Sequence, residues 1–81
     1  MDPKVEGIID ALQELLDDKS VNKNVKEAVK RSISVLKEDG ELSMKIHKVQ
    51  SILEEVSNDS NMQQYTRTQL WNITSSLEMV L

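Results

Sequence analysis

The chain repeats its pattern of apolar and polar residues at an offset of 41 positions, about half of its 81 residues. Identical pairs across the offset include Leu12 and Leu53, Glu14 and Glu55, Asp18 and Asp59, Ser34 and Ser75, and Leu36 and Leu77. Repetition at this period is typical of paired helices. We therefore predict one all-α domain over 1–81, built from two helical hairpins at about 3–39 and 41–81.

Helical periodicity and turn residues divide each hairpin into two amphipathic helices. The first is predicted from Pro3 to Leu16, with Asp2 as its N-cap, and the second from about 20–22 up to Gly40, which is expected as its C′ residue. The third runs from about Glu41 to the polar segment 57–61, and the fourth from about Met62 to the end. Their predicted core residues are Val5, Ile8, Ile9, Leu12, Leu15, Leu16, Val21, Val25, Ala28, Val29, Ser32, Ile33, Leu36, Leu42, Ile46, Val49, Ile52, Leu53, Val56, Met62, Thr66, Leu70, Ile73, Leu77 and Val80.

Short connections between such helices favour antiparallel neighbours, so a compact up-and-down four-helix bundle is the predicted architecture. A pair of HEAT-like repeats is the alternative, because helix pairs of about 40–47 residues are the unit of those solenoids. Two repeats alone would still close into a compact unit.

Composition and motifs argue against several function classes. The chain has no cysteine and two glycines, which leaves no disulfide, thiolate site or glycine-rich phosphate loop. His47, the one histidine, is predicted to face solvent, and position 44 is a methionine where a di-metal bundle needs a glutamate. No secretory signal or membrane-spanning run is visible. We expect a cytoplasmic protein that is not an enzyme and has no cofactor, metal or small-molecule substrate.

Charge is unevenly distributed along the chain. Formal charges are −5 over 1–18, +5 over 19–37, −4 over 38–59 and zero over 60–81. Alternating signs are typical of neighbouring helices that complement one another. The alternative is a phosphate-binding stripe, because five lysines fall within about 60° of arc on a helical wheel. These lysines are Lys19, Lys23, Lys26, Lys30 and Lys37.

Aromatic residues mark a second candidate surface, on the fourth helix. Trp71 and Tyr65 lie about 140° and 100° from the centre of its predicted buried face. Arg67 precedes Trp71 by four residues, so its guanidinium can reach the indole. Tyrosine, arginine and tryptophan dominate interface hot spots, which makes these three residues a candidate partner-binding surface. The structural alternative is that Trp71 folds over a neighbouring helix.

The second half of the chain carries a family resemblance. The segments Ile52–Asp59, Asn61–Met62, Arg67–Thr68 and Leu70–Ile73 resemble the signature of uncharacterised protein family 0147, which comprises short archaeal proteins. The resemblance implies an archaeal cytoplasmic protein with a four-helix fold, and it transfers no catalytic or ligand residue. Where the family pattern favours proline, this chain has Asn22, Ser60 and Gln63.

Function is not determined by these features. The preferred hypothesis is a small non-catalytic module that self-associates or binds a protein partner through Trp71. The alternative is a nucleic-acid or ribosome-associated accessory protein that binds through the lysine stripe.

Overall fold

The computed structural model describes residues 2–81, and within them it contains four α-helices and no strand. Their bounds are α1 Pro3–Asp17, α2 Lys23–Lys37, α3 Leu42–Val56 and α4 Gln64–Val80. The predicted all-α fold is confirmed. For residues 2–81, no helix meets the length and hydrophobicity that a membrane-spanning segment needs.

The first two helices begin at side-chain caps. The Asp2 carboxylate accepts a hydrogen bond from the Lys4 backbone N–H at 2.8 Å, and the Asn22 side chain accepts one from the Val25 N–H at 2.9 Å. Asn22 therefore satisfies a donor that the helix cannot satisfy itself, which proline could not do at this position. Gln63, at the N-cap of α4, makes no such side-chain bond.

Two predicted boundaries are wrong. Helix α4 begins at Gln64 rather than Met62, because Met62 belongs to the connection and is buried from there. Helix α2 ends at Lys37 with Glu38 as its extended C-cap, so Gly40 is not the C′ residue. Gly40 instead has a φ of +141° in the turn that leads to α3. A side chain at this φ is unfavourable, so glycine suits the turn rather than the helix end.

The four helices pack in a ring. Helix α1 contacts α2 and α4, and α3 contacts the same two, with the α2–α3 pair the most extensive and the α3–α4 pair the least. Helices that follow one another in the chain pack side by side, and α4 closes the ring by packing against α1. This arrangement is an up-and-down bundle. A solenoid would stack α1 on α3 and α2 on α4, so the ring favours the bundle over an open HEAT-like stack.

The repeated leucines form the centre of the core. Leu12, Leu36, Leu53 and Leu77, which are the two identical leucine pairs of the repeat, are all fully buried. Most of the predicted core is confirmed as buried, while the partly buried members pack at its margin. Those marginal residues are Ile9, Leu16, Leu42, Ile52, Val56 and Val80. Val35 is buried as well, although the wheel did not select it.

The repeat also extends to the connections within the hairpins. In the first, the Asp18 carboxylate accepts from the Ser20 N–H at 2.9 Å, and in the second the Asp59 carboxylate accepts from the Asn61 N–H at 2.9 Å. An aspartate side chain that accepts from the backbone N–H two residues later forms an Asx-turn, which reverses the direction of the chain. The Asn22 side-chain amide lies 3.5 Å from the Asp59 carboxylate, so the two connections meet at one end of the bundle.

The fourth residue of α2, of α3 and of α4 is in each case a half-buried lysine or arginine. Each of these residues lies near the end of the preceding helix. The Lys45 ammonium donates to the Glu38 carbonyl at 2.9 Å, and the Arg67 guanidinium donates to the Ser57 carbonyl at 2.6 Å. Lys26 lies close enough to Asp18 to interact with its charge. Carbonyl oxygens at a helix C-terminus carry partial negative charge, so Lys45 and Arg67 stabilise the junctions that they bridge.

We expect acid to destabilise the connection between α1 and α2, because Asp18 loses its negative charge when it is protonated. Hydrogen bonds from the Ser20 hydroxyl and backbone N–H, with a smaller contribution from the Lys26 charge, hold the Asp18 pKa below its usual 3.8. A carboxylate with a lowered pKa stabilises the fold above its unfolded pKa and loses that contribution as pH falls through the folded pKa. Asp18→Asn should therefore lower the free energy of unfolding at neutral pH, with a gap from wild type that narrows in acid.

Urea unfolding of both proteins across the acid range checks this expectation. Ser20→Ala removes the hydroxyl group that donates to the Asp18 carboxylate. Its free energy of unfolding at neutral pH should therefore be closer to that of Asp18→Asn than the wild-type value is. A gap that stays constant from neutral pH to below 3.8 would contradict the assigned role of Asp18.

Candidate functional site

A groove of about 480 Å³ runs between α3 and α4, the least extensively packed neighbours of the ring. The buried side chain of Leu70 contributes to its lining. Polar and aromatic side chains from both helices line the rest. They include Gln50, Glu54, Arg67, Trp71, Thr74 and Glu78.

Trp71 is the largest exposed apolar side chain of this groove. It is 69% exposed, which confirms the prediction that it points at least partly outward. A tryptophan folded down over a neighbouring helix would lose most of its exposure, so the structure does not favour the alternative interpretation. Its chain neighbour Leu70 is buried in the core, and this anchors the helix on which Trp71 is displayed.

Arg67 lines the same groove but has its donors directed elsewhere. Its guanidinium bonds the carbonyl oxygens of Ser57 at 2.6 Å and Asp59 at 3.2 Å, both in or beside the α3–α4 connection. The sequence suggested that this guanidinium would lie across the Trp71 ring. The hydrogen bonds give it a structural role, because they hold the start of α4 against the end of α3.

Tyr65 lies on a different flank of α4 from Trp71. Six helical residues separate the two, which places them about 120° apart around the axis. Tyr65 is 61% exposed, and its hydroxyl accepts a hydrogen bond from the Gln69 side chain at 2.8 Å. It shares its flank with Met79, which lines a groove between α1 and α4. The structure therefore separates Tyr65 from the surface formed by Arg67 and Trp71.

Three lysines of the predicted stripe, Lys23, Lys26 and Lys30, line one groove, while Lys19 and Lys37 do not line it. Lys19 is in the α1–α2 connection, outside any helix, and Lys26 is half-buried near Asp18. Lys23, Lys30 and Lys37 are exposed on α2, at intervals of about 10 Å along the axis. Binding of nucleic acid through these lysines stays a prediction.

Two carboxylates give the α3–α4 groove its charge. Glu54 enters from α3 and Glu78 from α4, and both are exposed. Glu78 follows Trp71 by seven residues, two helical turns, so both occupy the same side of α4. Sequence reasoning missed this pair, although the seven-residue spacing could have indicated Glu78. Within residues 2–81, no group of three or more histidine, cysteine or acidic side chains is arranged to hold a metal ion.

Comparisons with known proteins agree with the resemblance found in the sequence. The model of the uncharacterised protein family UPF0147 matches residues 1–80. A UPF0147 protein of Methanocaldococcus jannaschii is 39% identical over 77 residues, covering 94% of this chain and 83% of the relative. One of Sulfurisphaera tokodaii is 38% identical over 79 residues, covering 95% and 88%.

A solved structure extends the agreement to the fold. The crystal structure of a UPF0147 protein from Thermoplasma acidophilum superposes with a TM-score of 0.92 at 32% identity, covering 96% of this chain and 93% of the other. The two sequence relatives match nearly the whole chain, and the solved structure has the same arrangement of helices. On this evidence the chain belongs to the UPF0147 family.

Proposed function

We propose that this chain is a small non-catalytic protein-interaction module of the cytoplasm, with the groove between α3 and α4 as its contact surface. The observation that carries the proposal is the 69% exposure of Trp71 beside a partly apolar groove. An exposed tryptophan leaves apolar area in water that a partner can bury, and tryptophan is enriched among residues that dominate binding energy. The absence of cysteine is compatible with a reducing compartment.

The groove is built on rigid elements, which supports its use in binding. Trp71 lies in the middle of α4, between the buried Leu70 and Thr74, whose hydroxyl donates to the Leu70 carbonyl at 3.0 Å. Arg67 fixes the start of the same helix to the connection. A surface that needs little ordering retains more of its interaction energy on binding.

Substitution of Trp71 tests the proposal, with Met79→Ala as the matched control. Met79 is 79% exposed on the same helix but lines the groove on the α1 side. Immobilised wild-type chain should retain a partner from an archaeal extract, or associate with itself in sedimentation experiments. Trp71→Ala should weaken that association about 30-fold, the effect of losing a hot-spot contact. Met79→Ala should leave it unchanged.

Equal retention by both variants would contradict the proposal. So would an association that Met79→Ala weakens and Trp71→Ala does not, because the contact surface would then lie between α1 and α4.

A further inference from the structure

We propose that the occupant of the α3–α4 groove is a basic protein segment, which places an arginine side chain on the Trp71 indole between Glu54 and Glu78. This inference rests on the proposed function and names the chemistry of its partner. Three observations support it: the two carboxylates in the groove, the hydrogen bonds that Arg67 makes to backbone carbonyl oxygens, and the position of Lys23 and Lys30 on α2.

The groove combines an aromatic face with negative charge. Glu54 lies on the α3 wall, and Glu78 lies on the α4 wall about two turns from Trp71. Among the hydrogen bonds between residues 2–81, none uses either side-chain carboxylate. Both carboxylates are thus available to a cationic side chain.

Arg67 lines the groove but makes no hydrogen bond to Glu54 or Glu78. Its guanidinium hydrogen-bonds the Ser57 and Asp59 carbonyl oxygens, where it offsets the negative end of α3. Because Trp71 is 69% exposed, a cation from outside can stack on its indole. The indole is the strongest of the aromatic faces for binding cations.

Arginine fits this arrangement better than lysine. Its planar guanidinium stacks on an aromatic ring and offers several donors in a fixed geometry to carboxylates. A phosphate backbone or an acidic peptide would be repelled by Glu54 and Glu78, so the groove favours a basic protein segment over nucleic acid.

A second copy of the chain is a poorer occupant. A two-fold contact about Trp71 would bring Glu54 and Glu78 of one copy close to those of the other, with like charges opposed. The exposed lysines Lys23 and Lys30 lie on α2, which contacts α1 and α3 but not α4. Contact between that helix and the groove would be head-to-tail and would not close into a dimer.

The emission of Trp71, the one tryptophan in the chain, reports occupancy of the groove directly. We would titrate the full chain with short Gly/Ser peptides that carry two arginines, two lysines or two glutamates, and with a single-stranded oligonucleotide. The arginine peptide should bind most tightly and the lysine peptide more weakly, while the glutamate peptide and the oligonucleotide should leave the emission unchanged.

Charge substitutions complete the test. The pair Glu54→Lys and Glu78→Lys should weaken arginine-peptide binding at least about tenfold. Glu14→Lys, on an exposed position of α1, changes the net charge by half as much as this pair and by as much as neutralising both groove carboxylates. It should change binding less than about twofold. The pair Glu54→Gln and Glu78→Gln removes the charges with nearly the same shape, and it should weaken binding even if the lysine variant folds poorly.

The inference is overturned if the glutamate peptide or the oligonucleotide binds as tightly as the arginine peptide. It is also overturned if the glutamine pair and Glu14→Lys behave alike. If partner capture still depends on Trp71 while these carboxylates do not matter, the proposed function stands and the basic partner is rejected. If capture does not depend on Trp71, both fail.

Discussion

Leu53→Ala is expected to lower the free energy of unfolding by about 2–5 kcal/mol. Leu53 is fully buried in α3, at the centre of the ring of helices. Truncation removes apolar contacts and leaves a cavity that the packed helices can fill only partly. A domain of this size has a total stability of about 4–12 kcal/mol, so this one change removes a large part of it.

Its matched control is Met44→Ala in the same helix. Met44 is 69% exposed, so its truncation should change stability by no more than about 0.5 kcal/mol. Leu12→Ala, at the equivalent position of the first hairpin, should fall in the same range as Leu53→Ala. Urea unfolding of the three variants measures these differences. A neutral Leu12→Ala would show that the two hairpins do not contribute equivalent leucines to the core.

Arg67→Met should lower the free energy of unfolding by about 1.5–3 kcal/mol, the range for hydrogen bonds to charged groups. The substitution keeps a long apolar side chain but removes the guanidinium donor to the Ser57 carbonyl oxygen and leaves the Asp59 carbonyl oxygen with only the Met62 N–H. Amide hydrogen exchange should accelerate mainly in the α3–α4 connection, because local opening there no longer breaks the two bonds.

Arg67→Lys is the informative companion variant. Lysine keeps the charge but lacks the planar fork that reaches both carbonyl oxygens, so its loss of stability should be smaller than that of Arg67→Met. If Arg67→Met were neutral for stability yet weakened partner binding as Trp71→Ala does, Arg67 would belong to the contact surface rather than to the connection.

The core and the order of helices could be predicted because both depend on local periodicity. Leu12 and Leu53 each belong to a row of apolar residues at helical spacing, and both are fully buried. Burial of these apolar faces drives the helices together. The start of α4 could not be predicted in the same way. Met62 continues the apolar pattern of α4 although it packs from the connection, and periodicity does not distinguish these two cases.

The candidate site was predictable only in part. A helical wheel places Trp71 outward, but it does not indicate which flank of α4 faces α3 and which faces α1. That choice depends on how the ring closes, so the separation of Tyr65 from Trp71 and the approach of Glu54 appear only in three dimensions. The hydrogen bonds of Arg67 could not be predicted because its long side chain reaches carbonyl oxygens eight and ten residues earlier in the chain.

The 41-residue repeat also locates the difference between the hairpins. Lys26 and its equivalent Arg67 are both the fourth residue of a helix, and each lies near the end of the preceding helix. They occupy equivalent positions, but only Arg67 donates hydrogen bonds to carbonyl oxygens there. Lys30 and its equivalent Trp71 are both exposed, and here the residue types differ in kind. The change from lysine to tryptophan at this position gives the second hairpin its distinct surface.

The free energy of unfolding of Trp71→Ala tests most directly whether Trp71 belongs to a surface rather than to the core. We expect a change within about 1 kcal/mol, because the limited contact that is lost is offset by the higher helix propensity of alanine. Chemical unfolding followed by circular dichroism measures it without relying on the tryptophan signal. A loss of about 3–5 kcal/mol, the range for a buried tryptophan, would contradict the assignment of Trp71 to a binding surface.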